Sequence, residues 1–272
     1  AGMLFSEKEL REVRMPVNGG ALTVPQLLTA RAEHFLWAAK LMGEMGYSQV
    51  DLNLGCPSGT VVSKHKGAGM LADPGVLDRF FHEIFEGLQG ENLQISVKTR
   101  IGLEDSDSFP RLMEVFNRYP IRELTLHPRV RKAFYKGDVN MEMFRYCSEN
   151  SKNPVCYNGN LSSLEDIAAF SAEFPQIEAV MLGRALIADP GMLCGGSTVQ
   201  KLEGFYNELL DAYTQEFGGA RNAIFRLKEN WHCMIYLFED SEKLWKKLRK
   251  TTDITEYRAI TAEIFATLPL RQ

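Results

Sequence analysis

Short apolar runs alternate with longer amphipathic stretches along the first two-thirds of the chain. The runs "ALTVPQLL" (21–28), "QVDLNLG" (49–55), "QISVKTRI" (94–101), "ELTLHPR" (123–129), "PVCYNGN" (154–160) and "AVMLGRA" (179–185) read as strands. Helix starts stand between them. Asp73 before Pro74 places an N-cap ahead of a proline at the first helical position, and "SSLE" (162–165) is a capping box. Strand–helix alternation implies parallel pairing and an α/β fold. From about Gly196 the strands stop. Four stretches opening "VQKLEGFY", "ARNAIFRL", "SEKLWKKL" and "DITEYRAI" have helical periodicity, the last with a box from Asp253 to Glu256. The expected organisation is a β/α domain over 1–195 and a helical domain over 196–272.

The strands have unlike parities. Val97, Thr99 and Ile101 alternate with Ser96, Lys98 and Arg100; Leu124 and Leu126 with Thr125, His127 and Arg129; Val50, Leu52 and Leu54 with Asp51, Asn53 and Gly55. A parallel sheet is covered on both faces, and a charge there is costly unless paired or facing a ligand. For any one strand, a solvated face or an internal ion pair explains the pattern equally well. Three strands with polar groups at their C-terminal ends point to one pocket, which is where a β/α barrel holds its active site. Cys56 stands at the mouth of one of these strands, between Gly55 and Pro57, followed by a loop of Gly, Ser and Lys. A structural cysteine belongs inside an apolar run instead.

Composition narrows the class. At 272 residues and 45% hydrophobic, the chain can bury a large core as one big domain, alone or with a small one. It has no apolar run long enough to cross a membrane and no signal-peptide pattern. The five cysteines are odd in number and scattered without a CxxC pair, which argues against a disulfide framework or structural zinc and for a reducing, cytoplasmic setting. No His, Cys and carboxylate set has metal spacing, so no metal is expected. Net charge is −4, and residues 200–272 are neutral, with eleven bases and eleven acids. Within that tail the bases cluster. Lys246, Lys247, Arg249 and Lys250 adjoin Trp245, and Arg221, Arg226 and Lys228 form a second group. Such clusters suit phosphate binding, although a solvated helix face has the same composition.

The ordered series "PQLL", "DLNLGCPSGTVVSKHKGAGML", "SVKTRIG", "LTLHPR", "YNGN" and "VMLGRALIADP", with "RLKENWH" in the helical tail, resembles the tRNA-dihydrouridine synthases across roughly residues 20–240. "NLGCP" with "GAGML" about fourteen residues on and "VKTR" after the next helix is the specific part. The resemblance implies a TIM-type β/α barrel followed by a small all-α domain, FMN as cofactor, NADPH as reductant and tRNA as substrate. It implies that Cys56 protonates uracil C5 as hydride enters C6 from the flavin. The Pro57–Met70 loop would act as a lid whose glycines permit closure. Lys98 would stabilise the anionic reduced flavin, with an internal ion pair to Asp51 as the competing reading. His127 would contact the flavin or be a satisfied core residue. Gln26 would hydrogen-bond the flavin ring, unless it is a strand-end residue satisfied by backbone. Asn53 and Arg100 would face the base or the ribityl chain. Asn158, Gly159, Gly183 and Arg184 would hold the FMN phosphate, with Asn160 standing where the family usually has aspartate. Either glycine pair alone is also an ordinary βα turn. The helical tail, with its basic groups, would grip tRNA.

The pattern departs from the family at its start. Six strand–helix units are evident where a barrel has eight, and "AGMLFSEKELREV" reads as a loop or helix preceding the family's third strand. Either an N-terminal segment is not in the sequence as written, the protein has been shortened there, or it is a degenerate relative; the intact motifs favour the first two. Two other functions stay open. One is a flavin-barrel enzyme reducing or oxidising a free pyrimidine, which would turn over without tRNA. The other is a non-catalytic tRNA-binding relative, which would hold no flavin.

Overall fold

The computed structural model describes residues 5–13 and 22–271. Six strands form one sheet: β1 (Gln26–Leu27), β2 (Gln49–Leu54), β3 (Gln94–Arg100), β4 (Leu124–His127), β5 (Val155–Tyr157) and β6 (Ala179–Val180). Each strand pairs with the next in sequence, and every pair is parallel. The fold is α/β, with the consecutive parallel strand order of a TIM-type β/α barrel, followed by an all-α C-terminal region.

The chain divides into two compact units, Ala1–Asn160 with Phe174–Met181, and Leu161–Glu173 with Leu182–Gln272. The first holds the sheet and helices α1 (Glu7–Val13), α2 (Ala32–Glu44), α3 (Gly59–Val62), α4 (Pro74–Gly87), α5 (Phe109–Phe116) and α6 (Met141–Asn150). The second holds α7 (Leu164–Glu173), α8 (Arg184–Ala188), α9 (Val199–Glu216), α10 (Ala220–Met234), α11 (Glu242–Leu248) and α12 (Ile254–Thr267).

Strand lengths differ most from the sequence pattern at the two sheet edges. The run 21–28 begins on a residue outside the described ones. Within the rest only Gln26 and Leu27 pair, after Pro25, whose carbonyl accepts the Asp51 N–H at 2.8 Å. The run 179–185 pairs only through Ala179 and Val180 before the chain enters α8. Among the described residues an edge strand has one neighbour, so half of its backbone groups gain nothing by staying extended.

In the first unit one parity of each strand meets the helices. Val50, Leu52 and Leu54 are fully buried, as are Phe35, Phe81, Phe116 and Phe144 on α2, α4, α5 and α6. Each such side chain contributes roughly 1.5–3 kcal/mol by leaving water. The cap expected at Asp73 forms, with Oδ1 accepting from Gly75 N–H at 2.8 Å and Val76 N–H at 3.2 Å. The box expected over 162–165 lies one residue later. Ser163 Oγ accepts the Asp166 N–H at 3.0 Å, and the Asp166 carboxylate takes the N–H groups of Ser162 and Ser163. The shorter aspartate reaches both amides with fewer torsions to freeze than Glu165 would.

The second unit has its own core, in which Leu227, Trp231, Phe238, Leu248 and Ile264 are fully buried. The one polar atom of the Trp231 ring is satisfied, because Nε1–H donates to Tyr257 Oη at 2.7 Å. No helix of the described residues is long and apolar enough to cross a membrane.

Candidate active site

The polar parity of β2, β3 and β4 converges where the strands end. Cross-strand register sets Gln26 beside Asp51, Asp51 beside Ser96, Asn53 beside Lys98, Lys98 beside Thr125, and Arg100 beside His127. Residues in register on parallel strands share a face. One surface of the sheet thus carries a carboxylate, two amides, an ammonium, a guanidinium and an imidazole.

Hydrogen bonds join the first of these into a chain. Ser96 Oγ donates to Asp51 Oδ1 at 2.8 Å and Gln26 Nε2 to Asp51 Oδ2 at 2.7 Å. Asn53 Nδ2 donates to Gln26 Oε1 at 2.7 Å. Asn53 Oδ1 accepts the backbone N–H of Gly55 at 3.0 Å and of Cys56 at 2.9 Å. A strand that stops at Leu54 leaves those two amides without ladder partners, and the asparagine side chain closes the turn on them.

Arg100 completes the turn from below. It is 1% exposed, and its Nε donates to Gly55 O at 2.8 Å while Nη1 donates to Val130 O and Phe134 O at 3.1 and 2.8 Å. Asn53 and Arg100, expected to face a base or ribityl chain, are both engaged in holding the Cys56 turn. The physical reason is shared: buried turn carbonyls and amides need partners, and these two side chains are the polar groups within reach. From the other side Arg131 Nε donates to Pro57 O at 3.1 Å.

The Cys56 thiol is half-buried and free, and it makes no hydrogen bond among the described residues. Of the glycines expected to let the following loop close, Gly67 and Gly69 are closely packed. Residues Gly67 to Leu71 are buried, and the Cys56 carbonyl accepts the Ala68 N–H at 3.1 Å. Gly67 has φ +55°, and a Cβ there would lie 2.9 Å from Cys56 Cβ and 3.1 Å from Val61 Cγ1. Gly67→Ala is therefore expected to cost about 1–3 kcal/mol through strain and displacement of the Cys56 turn. A thermal melt checks this; an unchanged Tm would show that the turn absorbs the methyl.

Lys98 is half-buried on the same face, with no hydrogen bond or ion pair to any described residue. Burial, and then repulsion from Arg100, holds its pKa below the ordinary lysine value, against the pull of Asp51. Asp51 moves the opposite way. Burial raises its carboxyl above the usual range, against the hydrogen bonds from Gln26 and Ser96 and the Lys98 charge. The two charges feel each other without touching. The direct Asp51–Lys98 ion pair does not form.

His127 is 6% exposed, with Nε2 at 2.9 Å from Arg129 Nη1 and its ring stacked on Tyr135 at 6.0 Å. The sequence reading put Arg129 on the polar parity without giving it a role, and Tyr135 escaped it. Arg129 shares the parity of His127, a usable signal, but Tyr135 sits in an irregular loop where no period operates. Burial pushes the Cys147 and Cys156 thiols up to about 12, which keeps them protonated and unreactive at neutral pH. Among the described residues no group of three or more His, Cys, Asp or Glu could hold a metal ion.

The remaining expected residues belong to other elements. Asn158 follows β5, donating Nδ2–H to Met181 O at 2.8 Å, and a Cβ at Gly159 would displace the Tyr157 hydroxyl. Asn160 is exposed at the end of the same turn. Gly183 and Arg184 belong to the second unit, where both are exposed at the start of α8. The tail bases also belong there. Arg221, Arg226, Lys246, Lys247, Arg249 and Lys250 are exposed. Arg226 pairs with Glu229 at 3.7 Å, and the Arg249 guanidinium lies 5.6 Å from the Trp245 ring centroid. Lys228 instead turns inward to donate to Thr251 O, and burial lowers its pKa.

An α/β protein with a free cysteine, an ammonium unpaired among the described residues and paired amides at the carboxyl ends of parallel strands is what fold and site define. The family model described as Dihydrouridine synthase (Dus) matches residues 1–266. The chain belongs to that family. It is 30% identical over 194 residues to a protein of Rickettsia bellii named "Probable tRNA-dihydrouridine synthase", covering 71% of this chain and 58% of that one. A protein of the same name from Staphylococcus aureus is 30% identical over 165 residues, 59% of this chain and 49% of that one. The chain thus spans about half the length of these curated relatives. Among solved structures it is similar to one described as "X-structure of a variant of NCR from zymomonas mobilis", at 15% identity and a TM-score of 0.37, over 58% of this chain and 51% of that one.

Proposed function

We propose that this chain carries the reducing site of a flavin-dependent tRNA-dihydrouridine synthase, acting on uridines of tRNA in the cytoplasm with NADPH as reductant. The observation that carries the reading is Lys98: a half-buried ammonium with no hydrogen bond or ion pair among the described residues, on the face shared with Gln26 and Asn53 and beside the Cys56 turn. Such a charge calls for an anion, and a reduced flavin is one.

FMN, when bound, supplies the hydride that reaches uracil C6. The chain's own residues do the rest. Lys98 offsets the negative charge of the reduced ring, and Gln26, which keeps one amide hydrogen beyond those engaged with Asp51, is free to donate to it. His127 borders the same strand ends. Cys56 gives its proton to C5, and the turn built by Asn53 and Arg100 keeps the thiol at the pocket mouth. A target base must leave the tRNA stack to reach a site of this kind.

The division of labour places this chemistry in residues 1–195 and the grip on tRNA in the helical residues 196–272. Lys246→Glu with Lys247→Glu is expected to weaken tRNA binding at every sequence and to flatten the plot of log affinity against log salt by about 2 units, roughly one for each lost phosphate contact. Titrations at several salt concentrations measure this. An unchanged slope would mean a merely solvated helix face.

The direct test supplies the purified protein with FMN, NADPH and tRNA lacking dihydrouridine. Formation of dihydrouridine supports the reading. Turnover of free uracil without tRNA would move the protein to the free-pyrimidine class, and a protein that takes up no FMN yet binds tRNA would be a binding relative.

A further inference from the structure

We infer that Asp51 is a positioning residue whose carboxylate sets the direction of an amide relay, through Gln26 and Asn53, that holds the Cys56 turn. This rests on the reading of Cys56 as the proton donor. Two primary amides in series have no preferred direction of their own, because each can turn over and exchange its donor and acceptor ends. Direction must come from partners that are only acceptors or only donors, and the Gly55 and Cys56 N–H groups are the donors at the far end. Asp51 is the acceptor at the near end: its Oδ2 takes the Gln26 NH2 at 2.7 Å, while Oδ1 is held by the Ser96 hydroxyl at 2.8 Å. Gln26 must then present its oxygen to Asn53, which must present its NH2 in return, also at 2.7 Å. Only this leaves the Asn53 oxygen facing the Gly55 and Cys56 amides, at 3.0 and 2.9 Å. The relay thus carries information from β3 across β2 and β1 to a turn that Asp51 does not touch.

Asp51→Asn keeps the shape and removes the acceptor-only end, since an amide at 51 can donate to Gln26 Oε1 and leave only the Gly55 and Cys56 N–H groups to oppose reversal of both amides. Reversal points Asn53 NH2 at two backbone N–H groups, and the turn loses its acceptor. The experiment measures iodoacetamide alkylation of Cys56 by peptide-resolved mass spectrometry, beside dihydrouridine formation by the same variants. Asp51→Asn is expected to speed Cys56 alkylation by about fivefold as the turn opens, with Cys156 in the same unit still protected. In the dihydrouridine assay kcat should fall while KM for tRNA holds. Asn53→Ala should give the same acceleration, and Asp51→Asn should add nothing in that background. Cys56 alkylation at the wild-type rate, multiplying effects in the double variant, or equal acceleration at Cys156 would each overturn the relay. Should Asp51→Asn fail to fold, Gln26→Leu breaks the relay without altering the carboxylate and must reproduce the acceleration; the wild-type rate there overturns it too. A protein that makes no dihydrouridine refutes the proposed function, while the alkylation comparison still decides the relay.

Discussion

Cys56→Ala is expected to slow dihydrouridine formation by about 10²–10⁴-fold, the range a positioned general acid contributes. FMN should stay bound and reducible by NADPH. The fold has little reason to respond, because the Cys56 thiol makes no hydrogen bond among the described residues and the turn is held by its backbone atoms. Cys56→Ser should be nearly as impaired, since a hydroxyl of almost the same size is a far weaker acid than a thiol of reference pKa about 8.5. Single-turnover assays with pre-reduced enzyme isolate the step from flavin reduction. Product formed at the wild-type rate by either variant would remove Cys56 from the chemistry.

Lys98→Met is expected to lower FMN affinity by about tenfold to a hundredfold, the worth of a charge-assisted hydrogen bond in a partly desolvated site. The loss should be larger for reduced than for oxidised flavin, because only the reduced ring carries the charge the ammonium answers. Its pH dependence has a definite sign. Burial and Arg100 hold the Lys98 pKa below the ordinary lysine value, and the ammonium is lost as pH rises through that lowered pKa. The advantage of wild type over Lys98→Met should therefore fade at a lower pH than an exposed lysine would dictate. Flavin fluorescence titrations across the alkaline range measure it. Equal affinities of the two proteins at neutral pH would mean that the ammonium faces no ligand.

Parts of this arrangement could be read from the chain alone because they depend on near neighbours. Gly55 and Pro57 in close succession disfavour a continuing strand, so Cys56 stands at its mouth. The period-two alternation of "SVKTRI" placed Lys98 and Arg100 on one face without any coordinates. The Asp73 and Asp253 caps satisfy amides two or three residues away, and both form. The box at 162–165 slipped by one residue because Glu165 and Asp166 offer nearly equivalent carboxylates, a choice settled by local rotamers.

Other features had no local signal. Arg100 has the parity of a pocket residue, yet its guanidinium serves the carbonyls of Gly55, Val130 and Phe134, up to 45 residues away. The loop glycines look like hinges in the sequence, and only the tertiary structure brings Gly67 against Cys56 and Gly69 against the Val62 backbone.

By itself the sequence determined the α/β alternation, the helical tail, the strand-end cysteine and the face that carries the charges, because each follows from chain periodicity and from turn chemistry within a few residues. Tertiary structure decided which of those polar groups meet. Gln26 lies 25 residues from Asp51, and Ser96 lies 45 residues from it. A hydrogen bond between them exists only once three strands have paired in one register, and a slip of one residue would turn every one of these side chains to the opposite face.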